Sequence, residues 1–331
     1  MSSTPECMSD RPFMACSILG MDVLADAVAA MRVGSTRSAR TEVRAPWGLR
    51  FPAVGGTTFH VLLSGRCWLL LPDGAGPVPM APGDVVFLRR GSTVALADDP
   101  ATPLRDFTPS AWRPTETIGR VDIEGPGARS LLICGAYQLG RTRPHPLLSH
   151  LPDVLHLPAA DVRHSGLPVT VELLGAELEQ HRPGRDGVVP ALVDAMLLLI
   201  LRAWADCQAG QDAHPAGWAG ALTDPAVGGA LADLHADPAR PWTVAQLGAR
   251  AGLSRSAFAQ RFTALVGEPP LTYLTWWRMT VAGRLLRQSD APLSAVAQQL
   301  GYSSEFAFAK AFKREHGIAP GRYRRNPAPE G

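Results

Sequence analysis

A pattern that returns at a fixed distance restricts a fold more than composition does. "LSRSAFAQRF" covers 253–262 and "SEFAFAKAF" covers 304–312. Both contain A-F-A-x-x-F, as Ala257-Phe258-Ala259 with Phe262 and as Ala307-Phe308-Ala309 with Phe312. In both, Gly stands five residues after the last Phe, at Gly267 and Gly317, and Pro follows at Pro270 and Pro320. Apolar residues three and four apart, with Ser ahead and Gly behind, specify a short amphipathic helix. Ala257, Phe258, Phe262 and Leu265 give the first its inward stripe, while Phe308 and Phe312 anchor the second. Each is preceded by another short helix. Thr243 caps one whose inward face is Val244, Leu247 and Ala251, ending at Gly252. Pro292 opens the other, with Val296 and Leu300 inward, Gly301 in the turn and Ser303 or Ser304 as the next cap. Two short helices across a Gly turn make a helix-turn-helix, and this chain has two, at about 244–265 and 293–316.

Between them, Leu271–Ser289 reads as one continuous helix, roughly 28 Å long at 1.5 Å per residue. Two such units on one rigid helix suit two successive major grooves of a duplex, about 34 Å apart on one face. The helix falls slightly short of that, so the flanking units or a bend in the DNA must supply the rest. Charge agrees. Over Gly228–Gly331 there are 13 Lys and Arg against 7 Asp and Glu, a net +6; the remainder has 19 against 23, a net −4. The chain's two lysines, Lys310 and Lys313, both fall in the second copy. This is a modest nucleic-acid footprint.

The preceding residues have another texture. Residues 22–31 read as a short amphipathic helix, and the 20 before Met21 lack period, suggesting a disordered extension or a start at Met21. From Thr41 to about Tyr137, short apolar or alternating runs are separated by "PDGAGP", "APGD", "RRGS" and "EGPG". Such runs predict an antiparallel sandwich or barrel. Helices follow at Val169–His181 and Val188–Cys207, and the small-residue stretch "AGQDAHPAGWAG" reads as a linker. The expected organisation is therefore a β-rich domain with trailing helices over 21–208, a linker over 209–227, an all-α domain over 228–326 and a tail over 327–331. "LVDAMLLLILRAWA" is the most apolar stretch, but Asp194 and Arg202 interrupt it and it reads as a buried helix rather than a membrane span. Five widely spaced cysteines without C-x-x-C suggest free thiols in a reducing cytoplasm.

"WTVAQLGARAGLSRSAFAQRFTALVGEPPLTYLTWWRM" and "LSAVAQQLGYSSEFAFAKAFKREHGIAPGRYR" resemble the DNA-binding domain of the AraC/XylS family of bacterial transcription regulators. "APWGLRFP", "FHVLLSGRCWLLL", "GDVVFLRRG" and "LLICGAYQL" resemble the cupin-like N-terminal domain of a subset of that family. The resemblance implies a cytoplasmic regulator that binds double-stranded DNA, has RNA polymerase as a partner and needs no cofactor. It implies base-reading residues at Ser256, Ala259 and Gln260, and at the corresponding Glu305, Phe306, Ala309 and Lys310. Gln pairs with adenine, Glu accepts from cytosine, Lys donates to guanine, and Phe or a small residue meets the thymine methyl. Arg255, Arg278, Lys313, Arg314, Arg322 and Arg324 are read as phosphate contacts, which position without reading sequence.

Cupin metal sites use G-x5-H-x-H with a later His. His60 is followed by Val61 and Leu62, and Val94 stands after "RRGS" where a His often lies. No metal and no catalysis are expected. Trp47, Phe59, His60 and Trp68 are candidates for the mouth of a ligand-holding barrel, and Cys134 for a redox sensor, although no Cys lies near "APWGL", where such sensors resemble one another. Two alternatives are a cupin metal enzyme fused to DNA-binding helices and a domain that serves only as a dimer brace. A homodimer, an unknown small-molecule or redox effector and an activating output complete the expectation.

Overall fold

The computed structural model describes residues 22–31, 36–72, 74, 76–107, 117–138, 145–180, 182–211 and 216–325. The extension before Met21, Cys7, Cys16 and the tail lie outside the described residues. Helix α1 (Val23–Met31) comes first, its N-terminal amides at Leu24 and Ala25 donating to the Asp22 carboxylate. The strands are β1 (Arg37–Arg44), β2 (Gly48–Phe51), β3 (Thr57–Ser64), β4 (Cys67–Leu70), β5 (Val78–Met80), β6 (Val85–Leu88), β7 (Val94–Ala97), β8 (Arg105–Asp106), β9 (Ile118–Ile123), β10 (Arg129–Tyr137) and, after the short helix α2 (Pro146–His150), β11 (Val154–Leu157). They form two sheets, ordered β11-β6-β3-β10-β1-β9 and β5-β4-β7-β2-β8.

Side-chain alternation sorts the first sheet into two faces. Phe59, Val61 and Ile133 pack outward against the helices. Leu62, Leu132 and Cys134 point inward, between the sheets, with Trp47, Phe51, Cys67, Met80 and Leu96. His60 stands directly opposite Cys134 in the β3–β10 register and shares that inward face. Gly135 lets the sheet close: a Cβ there would lie 2.1 Å from the Phe59 ring.

α3 (Leu167–Glu179) and α4 (Arg185–Gln211) cover the outer face. α4 extends three residues before and four beyond the expected Val188–Cys207. By length and composition alone it could cross a membrane. Here it is a core helix. Val189, Val193, Met196, Leu197, Ile200, Leu201 and Trp204 are buried, and the Tyr137 hydroxyl donates to Val193 O at 2.6 Å. At about 1.5–3 kcal/mol per fully buried large apolar side chain, that stripe holds the helix on the sheet.

The stretch expected as linker is largely helical. α5 (Gly217–Thr223) is buried from Gly217 to Ala221, with Trp218 fully inaccessible. α6 (Pro225–Ala236) starts inside the expected linker because Asp224 accepts from the amides of Ala226 and Val227. The sequence pattern does suggest a helix over Val227–Ala236, which α6 extends by two residues; small residues concealed only α5, since Gly and Ala bury without an apolar signal. The remaining elements are α7 (Val244–Arg250), α8 (Arg255–Val266), α9 (Pro270–Gln288), α10 (Leu293–Gln299), α11 (Glu305–His316) and α12 (Pro320–Arg325). The molecule is thus a β-rich domain with helices followed by an all-α domain.

Candidate nucleic-acid interface

The two helix pairs, α7–α8 and α10–α11, are built alike from their own sequence. Thr243 and Gln246 form a capping box: Gln246 N donates to Thr243 Oγ1 at 3.2 Å, and Thr243 N to Gln246 Oε1 at 3.0 Å. Ser254 Oγ accepts from Ala257 N, and Ser304 Oγ from Ala307 N. α8 and α11 each have 12 residues and end on a left-handed Gly, Gly267 or Gly317. Phe258, Phe262, Phe308 and Phe312 are fully buried. Of the other residues expected in the first stripe, Ala257 is exposed and Leu265 half-buried; Val266 takes the buried place. Between the pairs, α9 is one helix of 19 residues, with Tyr273, Leu274, Trp276, Trp277 and Met279 buried.

With the phenylalanines turned inward, the opposite face of each helix is open. Ser256 and Gln260 are exposed on α8, and Glu305, Phe306 and Lys310 on α11, while Ala259 and Ala309 are half-buried between them. Phe306 is 80% exposed, the most exposed of the large apolar side chains described. Arg255, Lys313, Arg314 and Arg322 are also exposed.

Two of the expected phosphate contacts are placed elsewhere. The Arg278 guanidinium donates to Pro238 O at 2.6 Å and Arg240 O at 3.0 Å, and burial holds its pKa below the ordinary value. It fastens the α6–α7 loop onto α9. Arg324 donates to Ala291 O at 2.6 Å and so ties α12 to the start of the second unit. Sequence spacing puts both on the domain's basic side; it does not show that carbonyls reach them first. Arg261 is likewise paired, with Asp224.

In the barrel, His60 Nδ1 lies 3.1 Å from Cys134 Sγ, and Phe51 covers the ring at 4.2 Å. Burial lowers the His60 pKa to about 4 and pushes the Cys134 thiol up to about 12, so both are neutral at physiological pH. A thiol proton directed at Nδ1 leaves the imidazole proton on Nε2. His60 Nε2 and Trp47 Nε1 are buried without a hydrogen-bond partner among the described residues. Two other expected mouth residues face elsewhere: Phe59 packs on the helices, and Trp68 is half-exposed between the inward Cys67 and Leu69. The later histidines are apart from this interior. His156 pairs with Asp84 at 3.0 Å, and His145 and His150 lie against the all-α domain.

Known proteins match both halves. A cupin family matches residues 22–206, and a helix-turn-helix domain family matches 247–326. The chain is 36% identical to a putative AraC-like transcription regulator of Streptomyces lividans over 93% of this chain and 99% of that one. It is 28% identical to the HTH-type transcriptional regulator AlkR of Acinetobacter baylyi over 92% and 99%. Among solved structures, the DNA-binding domain of the global transcriptional factor AdpA in complex with a target DNA shares 37% identity, covering 34% of this chain and 98% of that one at a TM-score of 0.29. A cupin domain joined to two capped helix-turn-helix units, matched over 93% of its length by the Streptomyces lividans regulator, makes this chain a member of the AraC-type family of DNA-binding transcription regulators.

Proposed function

We propose that the chain is a sequence-specific activator that sets α8 and α11 into two successive major grooves of one duplex under the control of its cupin domain. The observation that carries this reading is the pair of equal, Ser-capped helices at the two ends of α9, each with its non-phenylalanine face open. Ser256, Ala259 and Gln260 read one half-site; Glu305, Phe306, Ala309 and Lys310 read the other. Arg255, Lys313, Arg314 and Arg322 hold phosphates, while Arg278 and Arg324 brace the domain from within. RNA polymerase is the downstream partner and the cytoplasm the location.

The cupin domain acts as a sensor rather than an enzyme. The unpartnered Trp47 N–H and the unpartnered His60 Nε2 favour a small neutral molecule with a polar oxygen. The redox alternative is the weaker one, because the nucleophile in thiol oxidation is the thiolate and Cys134 is held as a thiol. The homodimer is retained as part of the proposal. Footprinting on DNA fragments selected by the purified protein tests the central claim. Two protected major-groove segments about one helical turn apart are expected; a single protected segment overturns it.

A further inference from the structure

The cupin-bearing half and the all-α domain meet along one seam, and its contacts gather on the first helix-turn-helix. From α1, Asp26 Oδ2 lies 3.6 Å from His235 Nδ1 on α6. The His235 ring stacks on Trp277 of α9 at 3.8 Å, and its Nε2 is 2.7 Å from the Tyr273 hydroxyl. From the start of α2, His145 is fully buried against Trp218 of α5 and Trp276 of α9, with ring centroids 4.6 and 4.8 Å away. The Trp218 indole N–H donates to Val266 O, the last residue of α8, at 3.2 Å. The His150 ring sits 3.0 Å from where a Cβ on Gly267 would stand, just past the same helix end. The rear of recognition helix α8 is therefore gripped.

We propose that this seam is a releasable docking surface for the chain's own first helix-turn-helix, and that a proton on His145 opens it. The Leu147 amide donates to His145 Nδ1, so the ring proton is on Nε2, which is buried without a hydrogen-bond partner among the described residues. A second proton could enter only at Nδ1, breaking the α2 cap and leaving a fully buried cation cut off from water. The titratable groups facing it are His235 and Tyr273, and neither supplies a negative charge: burial pushes Tyr273 well above its ordinary value. Burial first, and then His235, hold the His145 pKa well below the ordinary range. Burial also holds the His235 pKa below its ordinary value, although Asp26 beside it favours the charged form and opposes that shift.

The sign follows. In the open state His145 meets water and titrates near about 6.5; in the closed state it titrates lower. The open state therefore binds more protons below pH ~6.5, and closure is complete above it. Each further unit of acidification multiplies the open population by up to about tenfold. Release frees α8 and leaves α11 as it was. That consequence for DNA rests on the reading of α8 and α11 as base-reading helices, whereas the test uses no DNA and stands apart from it.

The test is amide exchange on the full chain at pH 7.5, 6.5 and 5.5, expressed as protection after correction for intrinsic chemistry. Protection of α1 and of the last turn of α8 should fall about fivefold from pH 6.5 to 5.5 and about tenfold from pH 7.5 to 5.5, with α11 and the barrel strands unchanged. His145→Phe keeps an aromatic ring but takes no proton, so its acid step should shrink to the part that His235 supplies. Asp26→Asn should lower α1 protection at every pH and keep the acid step; it serves if His145→Phe does not fold. Seam protection that is independent of pH overturns the proposal. So does loss that α11 shares, or an acid step of undiminished size in His145→Phe.

Discussion

The two helix-turn-helix units share length, caps and phenylalanine anchors, yet they are loaded differently. Where α8 has Arg255 and Ser256, α11 has Glu305 and Phe306; where α8 has Gln260, Thr263 and Ala264, α11 has Lys310, Lys313 and Arg314. The other two cations of the first unit, Arg250 and Arg261, are tied to Asp233 and Asp224. The first unit presents small polar groups and is held from behind by the cupin-bearing half. The second presents most of the free positive charge and a bare phenyl ring. Their turns differ as well. Gly252 has open space where a Cβ would be, whereas a Cβ on Gly301 would stand 2.1 Å from Ala239 O, in the loop that Arg278 fastens to α9. A duplicated scaffold thus carries two different surfaces, because the buried stripe fixes the fold and leaves the other face free to diverge.

The comparison breaks most easily at what the units share. Phe258→Ala and Phe308→Ala should each cost about 3–5 kcal/mol in a urea melt, since both rings are fully buried. A loss below about 1 kcal/mol at either site would mean that the unit is not held by its anchor. The turns separate the units next. Both glycines have positive φ, so Gly252→Ala should cost about 1 kcal/mol from backbone strain alone, and Gly301→Ala about 3 kcal/mol, since its methyl must also displace Ala239. Equal losses would show that the Gly301 turn is not packed against that loop.

Base reading comes third. Gln260→Ala should weaken the preferred site by about 1–3 kcal/mol and random DNA by less, relaxing preference in one half-site. Lys310→Ala should do the same in the other half; an equal loss on all sequences would make Lys310 a phosphate contact. The smallest effects are ionic. Arg255→Ala should lower the slope of log affinity against log salt by about one unit, and Lys313→Ala with Arg314→Ala by about two. Arg278→Ala should leave that slope unchanged and lower stability instead, which separates brace from clamp.

The DNA-facing half was legible from residues because it is built from local rules. Ser, Gly and Phe at fixed spacing dictate caps, turns and an inward face without help from distant parts. The α5 helix was not legible: Gly217, Ala219, Gly220 and Ala221 have no amphipathic period, and their burial depends on partners far along the chain. The carbonyl partners of Arg278 and Arg324 were hidden for the same reason, since only the folded chain brings them within 3 Å. His145 stands in no motif that the sequence displays. Its meaning arises from Trp218 and Trp276, 73 and 131 residues away, and no motif announces such a meeting.

α9, an unbroken helix of 19 residues, carries a last consequence. A helix advances about 1.5 Å and turns about 100° with each residue. Inserting or deleting one residue there would hardly alter the distance between α8 and α11, but it would swing one of them around the axis and away from a shared face of the duplex. Only changes near a whole turn, three or four residues together, would restore the phase. Under the two-groove reading, the spacing of half-sites that such a chain can recognise is therefore stepped rather than continuous. Single-residue drift in α9 is forbidden by rotation, long before it is forbidden by length.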